Sequence, residues 1–343
     1  MGVVERIWYG DGIVAHAARA GLWPLSKVFE AAASARRKLY DAGVLRVEMP
    51  AIPAISIGNL TVGGTGKTPF AAWLAARLSE RAIPAIALRG YASDEIEVHR
   101  RLNPHIPIVV NADRAAAVRD AKSRDCDVVV LDDAHQHLRI ARSADIVLLS
   151  AEQLMRRRRL LPAGPWREPL SSARRADLLV VTRKSANADT ARRALDVVRS
   201  VAPSVPTALV HLVPHALVSA SDRTTRPLDA LRGATVVAIT GIGEPSAFAE
   251  QLEQLGARVS LRAYRDHHQF SDEEIRAAAA RVPVDGFAVC TLKDAVKLSG
   301  RWPGPSRLWY VSQQLVVEQG AAEIDRLLQR VLAQRATATI TAG

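Results

Sequence analysis

Aromatic side chains make up only 5% of this 343-residue chain, too few for the stacking platforms on which single-stranded nucleic acid is bound. Cysteines number two, Cys126 and Cys290, far apart and each inside an apolar stretch. That excludes a disulfide framework and the paired spacing of a zinc site, and it fits a reducing compartment. No run approaches ~18 uninterrupted apolar residues, so no ordinary transmembrane helix is expected. The first residues also lack the charged, apolar and cleavage regions of a secretory signal. The chain is therefore expected on the cytoplasmic side.

What the chain has in excess is positive charge. Lys and Arg number 46 against 35 Asp and Glu, a formal +11, which favours anionic partners without naming one. No zinc spacing or recognition helix accompanies the charge, so no nucleic-acid partner is expected. Acidic lipid and phosphorylated substrates remain. Hydrophobic residues at 48% and charged residues at 24% mark ordinary globular material. The length suits two α/β domains better than one core, and nothing in it fixes an oligomeric state.

Residues 1–45 read as a helical region in which Leu25, Val28, Phe29, Ala32, Leu39 and Tyr40 keep helical spacing beside Lys27, Arg36, Arg37 and Lys38. Such a basic amphipathic helix packs on the domain that follows, lies on an anionic membrane surface, or does both. Over 46–220, short β-branched runs (54–57, 85–88, 128–131, 146–149, 178–182) alternate with Ala-rich helical stretches. Continuous apolar strands between helices imply a parallel sheet covered on both faces. A second, smaller α/β domain with a C-terminal helix is expected over 221–335, with strands at 235–240, 258–263 and 287–291, and a loose tail over 336–343.

After the first strand comes Gly58-Asn59-Leu60-Thr61-Val62-Gly63-Gly64-Thr65-Gly66-Lys67-Thr68, then an Ala-rich helix. Gly63, Gly64, Thr65 and Gly66 let successive backbone N–H groups converge on phosphate oxygens, and the helix N-terminus adds positive potential. Lys67 reaches the outer phosphates of ATP and the Thr68 hydroxyl holds Mg²⁺. The strict motif wants glycine where Thr61 stands, so this is a variant loop. Asp132 and Asp133 end the run 127–131, which puts them at the carboxyl edge of the sheet where the loop also lies, as metal-site carboxylates. A nucleotide-switch ATPase of the partitioning class also uses a Gly-Gly-Thr-Gly-Lys-Thr loop, but it carries a lysine where this chain has Val62.

The segment Ser56 to Pro69 closely resembles the loop of the tetraacyldisaccharide 4'-kinases of lipid A synthesis. Further segments follow in family order: Leu88-Arg89-Gly90-Tyr91, Ser93-Asp94-Glu95, Asp132 to His137, Leu161 to Pro169, Gly241 to Pro245, Asp266-His267-His268 and Thr291 to Lys297. The resemblance spans roughly residues 1–310. It implies a P-loop kinase fold, and transfer of the γ-phosphate of ATP to the 4'-hydroxyl of an acylated disaccharide 1-phosphate, giving lipid IV-A. The place implied is the cytoplasmic face of the inner membrane, with an anionic membrane surface as the second partner.

The resemblance also implies site residues. Asp94 with His267 would activate the acceptor hydroxyl; Arg167 would neutralise phosphate charge and Glu95 and Glu168 would serve the metal or acceptor region, or else these form an Arg–Glu pair that holds a loop. With Asp94 assigned to the first domain and His267 to the second, their pairing requires closure of a cleft. Arg156 to Arg159 form a basic run that is either a solvated face or a contact for lipid or the substrate's 1-phosphate. Three positions depart from the family pattern: Ser93 replaces glycine, Ala134-His135 replaces Gly-Phe, and Leu292 replaces glutamate. None removes Lys67, Thr68, Asp132, Asp133, Asp94 or His267, so an active kinase is expected rather than a retired one.

Overall fold

A computed structural model describes residues 3–90, 93–303 and 306–340. In chain order its elements are α1 (Val3–Tyr9), α2 (Ile13–Asp41), β1 (Ala54–Asn59), α3 (Lys67–Leu78), β2 (Pro84–Leu88), α4 (Ser93–Leu102), β3 (Ile108–Val110) and α5 (Arg114–Ser123). There follow β4 (Val128–Asp132), β5 (Ala144–Ser150), α6 (Ala151–Leu154), β6 (Leu178–Arg183), α7 (Ala188–Val201), β7 (Thr207–Ser219) and β8 (Thr225–Arg226). The last are β9 (Thr235–Thr240), α8 (Pro245–Gln254), β10 (Arg258–Ala263), α9 (Asp272–Ala279), β11 (Phe287–Cys290), α10 (Leu292–Leu298), β12 (Leu308–Gln319) and α11 (Ala321–Ile340).

The chain divides into two compact units, one of Met1–Tyr91, Leu102–His211 and Leu315–Gly343, the other of Ala92–Arg101 and Leu212–Gln314. In the first, strands run in the order β7-β6-β5-β1-β4-β2-β3 and every pairing is parallel. The strands β1, β2, β4 and β5 are buried along their whole length, as continuous apolar runs in a helix-covered parallel sheet must be. Ala191, Ala194, Leu195 and Val198 of α7 pack on Val147, Leu149, Leu179 and Val181. Ala115, Ala117, Val118 and Ala121 of α5 pack on Ala54, Ala87, Val129 and Leu131. The register sets Ile57 beside Asp132, so β1 delivers its loop alongside the acidic end of β4.

In the second unit, β9 lies between β10 and β11, all parallel, with β12 beyond β11. Alternate residues of β9 face opposite sides. Val236 and Ala238 meet Phe248 and Leu252 of α8, while Val237 and Ile239 meet Ile275 and Ala278 of α9 and Ala295 and Leu298 of α10. The helix α4 belongs to this unit, although its sequence position lies among the elements of the first. Arg101 at its end donates to the carbonyl of Ala220 at 2.8 Å. Asp94 therefore shares a unit with His267, and their pairing does not wait on closure of a cleft.

Among the described residues, no helix is long and apolar enough to cross a membrane. Cys126 and Cys290 are both free and buried. The loose tail expected from residue 336 is helical as far as Ile340, and 341–343 lie outside the described residues. Tyr91, one of the resemblance positions, also lies outside them.

Candidate active site

In the first unit the loop between β1 and α3 is held open by its own glycines. Gly63 and Gly66 sit at φ +113° and +82°, left-handed values that side chains with a Cβ rarely adopt. The α3 N-cap, Gly66, supplies no side-chain acceptor, so the first turn of a 12-residue helix presents its N–H groups and positive end to a ligand. Around the loop the backbone is pinned. Thr65 accepts from Nδ2 of Asn59 through its hydroxyl at 3.0 Å and from the Thr182 hydroxyl through its carbonyl at 2.8 Å. The Lys184 ammonium donates to the carbonyl of Gly64 at 2.7 Å.

The segment 161–169 lies against this loop. The amide of Val62 donates to the carbonyl of Pro165 and the amide of Arg167 to that of Leu60, both at 2.7 Å. This clamp explains why Arg167, a hundred residues downstream of Lys67, arrives at the same carboxylate. Oδ1 of Asp133 lies 3.3 Å from Arg167 and 3.6 Å from Lys67. Burial would push the Asp133 carboxyl up, but the charges of Lys67 and Arg167 hold it below the usual range. Asp133 has φ +50°, an uncommon conformation for a non-glycine residue that concentrates at functional sites. Asp132 is buried at the end of β4, and its carbonyl accepts from Arg114 at 2.8 Å.

Among the described residues no three acidic, histidine or cysteine side chains gather into a metal cage. A hydroxyl at Thr68 in the first turn of α3 and carboxylates at Asp132 and Asp133 are nonetheless the donor set with which P-loop proteins hold Mg²⁺ together with phosphate oxygens. The residues fit that ion in the presence of a nucleotide. Glu168 does not join them. It is 6% exposed and its carboxylate is taken up by Arg37 of α2 and by Arg175. Its one negative charge faces two guanidinium groups in an ion-pair network. His135, where the family pattern has phenylalanine, is fully buried in the same network, with Nδ1 2.8 Å from Asp145 and Nε2 3.2 Å from Arg175.

The second unit carries the acceptor-side candidates. Nδ1 of His267 lies 3.2 Å from Oδ2 of Asp94. His267 stands in a tight turn after β10 with φ +57°, its backbone amide donating to the carbonyl of Gly241 at 3.1 Å. Burial alone would raise the Asp94 carboxyl. The Lys297 hydrogen bond and charge, then His267 and Lys293, bring it below its ordinary value. Glu95 lies 3.9 Å from Lys293 in this unit. His268 is occupied elsewhere, 3.0 Å from Glu274 and stacked on Tyr264.

Two residues escape a reading by motif roles. Lys297 belongs to a segment that carried the resemblance, but nothing local to its helix shows that its partner is Asp94. Gln136 donates to the carbonyl of Asn59 at 2.8 Å and accepts from Arg167 at 3.4 Å, tying the acidic turn to the root of the loop.

The family model described as LpxK, Tetraacyldisaccharide-1-P 4'-kinase, matches residues 18–105 and 94–333. A tetraacyldisaccharide 4'-kinase of Anaeromyxobacter sp. (strain Fw109-5) is 36% identical, with 100% of both chains covered. One of Halorhodospira halophila is 35% identical over 96% of this chain and 98% of its own. A crystal structure of LpxK from Aquifex aeolicus, titled as an "apo" form in complex with ATP, is similar with a TM-score of 0.73 at 28% identity, covering 92% of this chain and 99% of that one.

Proposed function

Because the chain belongs to the tetraacyldisaccharide 4'-kinase family, we propose that its first unit holds the phosphoryl donor and its second unit the groups that prepare the acceptor. The reaction is ATP-dependent phosphorylation of the 4'-hydroxyl of tetraacyldisaccharide 1-phosphate, a step of lipid A biosynthesis that gives lipid IV-A. The N–H groups of Gly63 to Thr68 cradle the phosphates, and Lys67 and Arg167 carry positive charge to the oxygens where negative charge develops. Thr68, Asp132 and Asp133 would hold Mg²⁺, which when bound would neutralise charge on the outer phosphates.

On the acceptor side, Asp94 accepts Nδ1–H of His267 and so leaves Nε2 as the lone-pair nitrogen. Nε2 takes the proton of the 4'-hydroxyl as that oxygen attacks phosphorus. The Asp94–His267 hydrogen bond carries this reading. A phosphate loop alone would serve any nucleotide switch, whereas a carboxylate-oriented imidazole is equipment for activating a hydroxyl.

The lipid substrate is reached at the cytoplasmic face of the inner membrane. On α2, Ile13, Val14, Trp23, Leu25 and Val28 are exposed, while Ser26 of the same helix bonds the carbonyl of Leu160 at 3.1 Å. One side of the helix packs and the other offers apolar surface to lipid. An open cavity of about 720 Å³, lined by Arg19, Trp23, Arg158, Leu160, Trp166 and Leu170 among others, combines apolar walls with positive charge and suits part of an acylated phosphosugar. The test is direct. Purified protein with labelled ATP, Mg²⁺ and tetraacyldisaccharide 1-phosphate in detergent should yield a 4'-phosphorylated lipid, and ATP binding without any transfer would overturn the reading.

A further inference from the structure

Lys297 has no part in the roles assigned above, yet its ammonium lies 3.0 Å from Oδ2 of Asp94, the same oxygen that faces His267. The two side chains are 9% and 4% exposed. A lysine kept this dry loses most of its hydration, a cost that a paired and hydrogen-bonded anion must offset. The arrangement is built rather than incidental. Lys297 stands in the last turn of α10, whose start is anchored by the buried carboxylate of Asp294. Asp294 accepts from the Thr240 and Thr291 hydroxyls at 3.1 and 2.7 Å and from the amide of Gly241 at 3.1 Å. Gly241 in turn accepts the backbone amide of His267 through its carbonyl. One buried carboxylate thus ties together α10, the end of β9 and the turn that carries His267. Lys297 and His267 approach Asp94 from elements that share an anchor.

Two donors converge on Oδ2 of Asp94 and the amide of Glu95 faces Oδ1 at 3.1 Å. Without Lys297 the Glu95 amide would still hold Oδ1, but Oδ2 would rest on His267 alone and could turn away from the imidazole. With the ammonium on that same oxygen, Oδ2 is held from two sides. We propose that Lys297 is a positioning residue of the acceptor base, fixing the plane of the Asp94 carboxylate so that Asp94 keeps His267 in the tautomer whose Nε2 receives the hydroxyl proton. Lys297 touches neither substrate. It acts through Asp94, and a misplacement of about 1 Å at such a pair costs on the order of 100-fold in rate.

The inference rests on the assignment of Asp94 and His267 as the base, and the experiment separates the two. Wild type, Asp94→Asn, Lys297→Met, Lys297→Arg and the double variant Asp94→Asn/Lys297→Met are compared for kcat and for KM of ATP and lipid, with thermal unfolding as the check on folding. Lys297→Met is expected to lower kcat about 100-fold with KM for ATP unchanged, and Lys297→Arg to restore part of it. The double variant should be as slow as Asp94→Asn, within about twofold, because Lys297 has nothing left to position. Wild-type kcat in Lys297→Met overturns the proposal. So does a double variant about tenfold slower than Asp94→Asn, since Lys297 would then act independently. Should Lys297→Met not fold, the double variant, which removes both buried charges together, and Lys297→Arg decide between those outcomes. If Asp94→Asn itself keeps full activity, the base assignment is what fails.

Discussion

At Asp94, burial and charge pull in opposite directions. Desolvation favours the protonated acid, but the Lys297 ammonium, with help from His267 and Lys293, leaves the carboxyl below its ordinary value. A carboxyl depressed in the folded state contributes stability that is fully present above its unfolded pKa of about 3.9 and is lost as pH falls through the lower folded value. Asp94→Asn leaves the buried Lys297 without its counter-charge and is expected to cost about 3 kcal/mol at pH 7. The difference from wild type should narrow on acidification below pH 4, as read from urea midpoints. A difference that widens there contradicts the assignment. His137 is shifted too, down to about 4, by burial and then by Arg114 and Arg89, and stays neutral at pH 7. Lys67, Thr68, Asp132 and Asp133 were legible in the sequence because each belongs to a contiguous run whose spacing has a physical reason. The Asp94–His267 pair, 173 residues apart, was legible only through family resemblance. Lys297 as its third member was not, since nothing local to α10 says which carboxylate its side chain will meet. Nor does sequence announce a left-handed backbone at Asp133 or His267, where no glycine stands.

Among the elements, β1 and its loop depend on a close approach that one methyl group would break. A Cβ on Gly58 would lie 2.3 Å from Cβ of His135 and 2.8 Å from its backbone nitrogen, so the strand and the turn after Asp132–Asp133 can touch only where no side chain intervenes. Gly58→Ala is expected to destabilise the protein by about 1–3 kcal/mol and to raise KM for ATP, because relief of the clash moves the acidic turn away from the root of the loop. Unchanged Tm and KM would show that the contact is slack. Buried parallel strands such as β1, β4 and β6 were legible to within two residues at each end, as unbroken apolar runs between helices. By contrast α4 gave no usable period. Its ten residues carry only Ile96, Val98 and Leu102 among polar neighbours, and of these Val98 alone is buried while Leu102 is exposed. The strand β12 is buried over its first four residues and alternates after that, so no single period describes it.

For the whole molecule, the question is what brings a protein without a described membrane-spanning helix to a substrate with four acyl chains. In the proposed docking the exposed side of α2 supplies the apolar part, with Val14 84%, Leu25 55% and Val28 65% exposed. Replacing these three by serine removes on the order of 3 kcal/mol of insertion energy if each is half-buried in lipid, enough to lower partition onto vesicles about 100-fold. The charge part has a separate signature. Arg156, Arg157 and Arg158 are exposed, and each basic residue near an anionic bilayer contributes about 1 kcal/mol that salt screens. Sedimentation with anionic vesicles should therefore weaken between 50 and 500 mM salt, while binding to neutral vesicles should be weak at both. The serine variant should lose binding to both kinds and keep its affinity for ATP, since none of the three residues belongs to the nucleotide loop. Equal sedimentation of variant and wild type would assign docking to another surface. Loss of ATP affinity in the variant would mean that α2 supports the first unit's site through the Arg37–Glu168 pair rather than only delivering it to lipid.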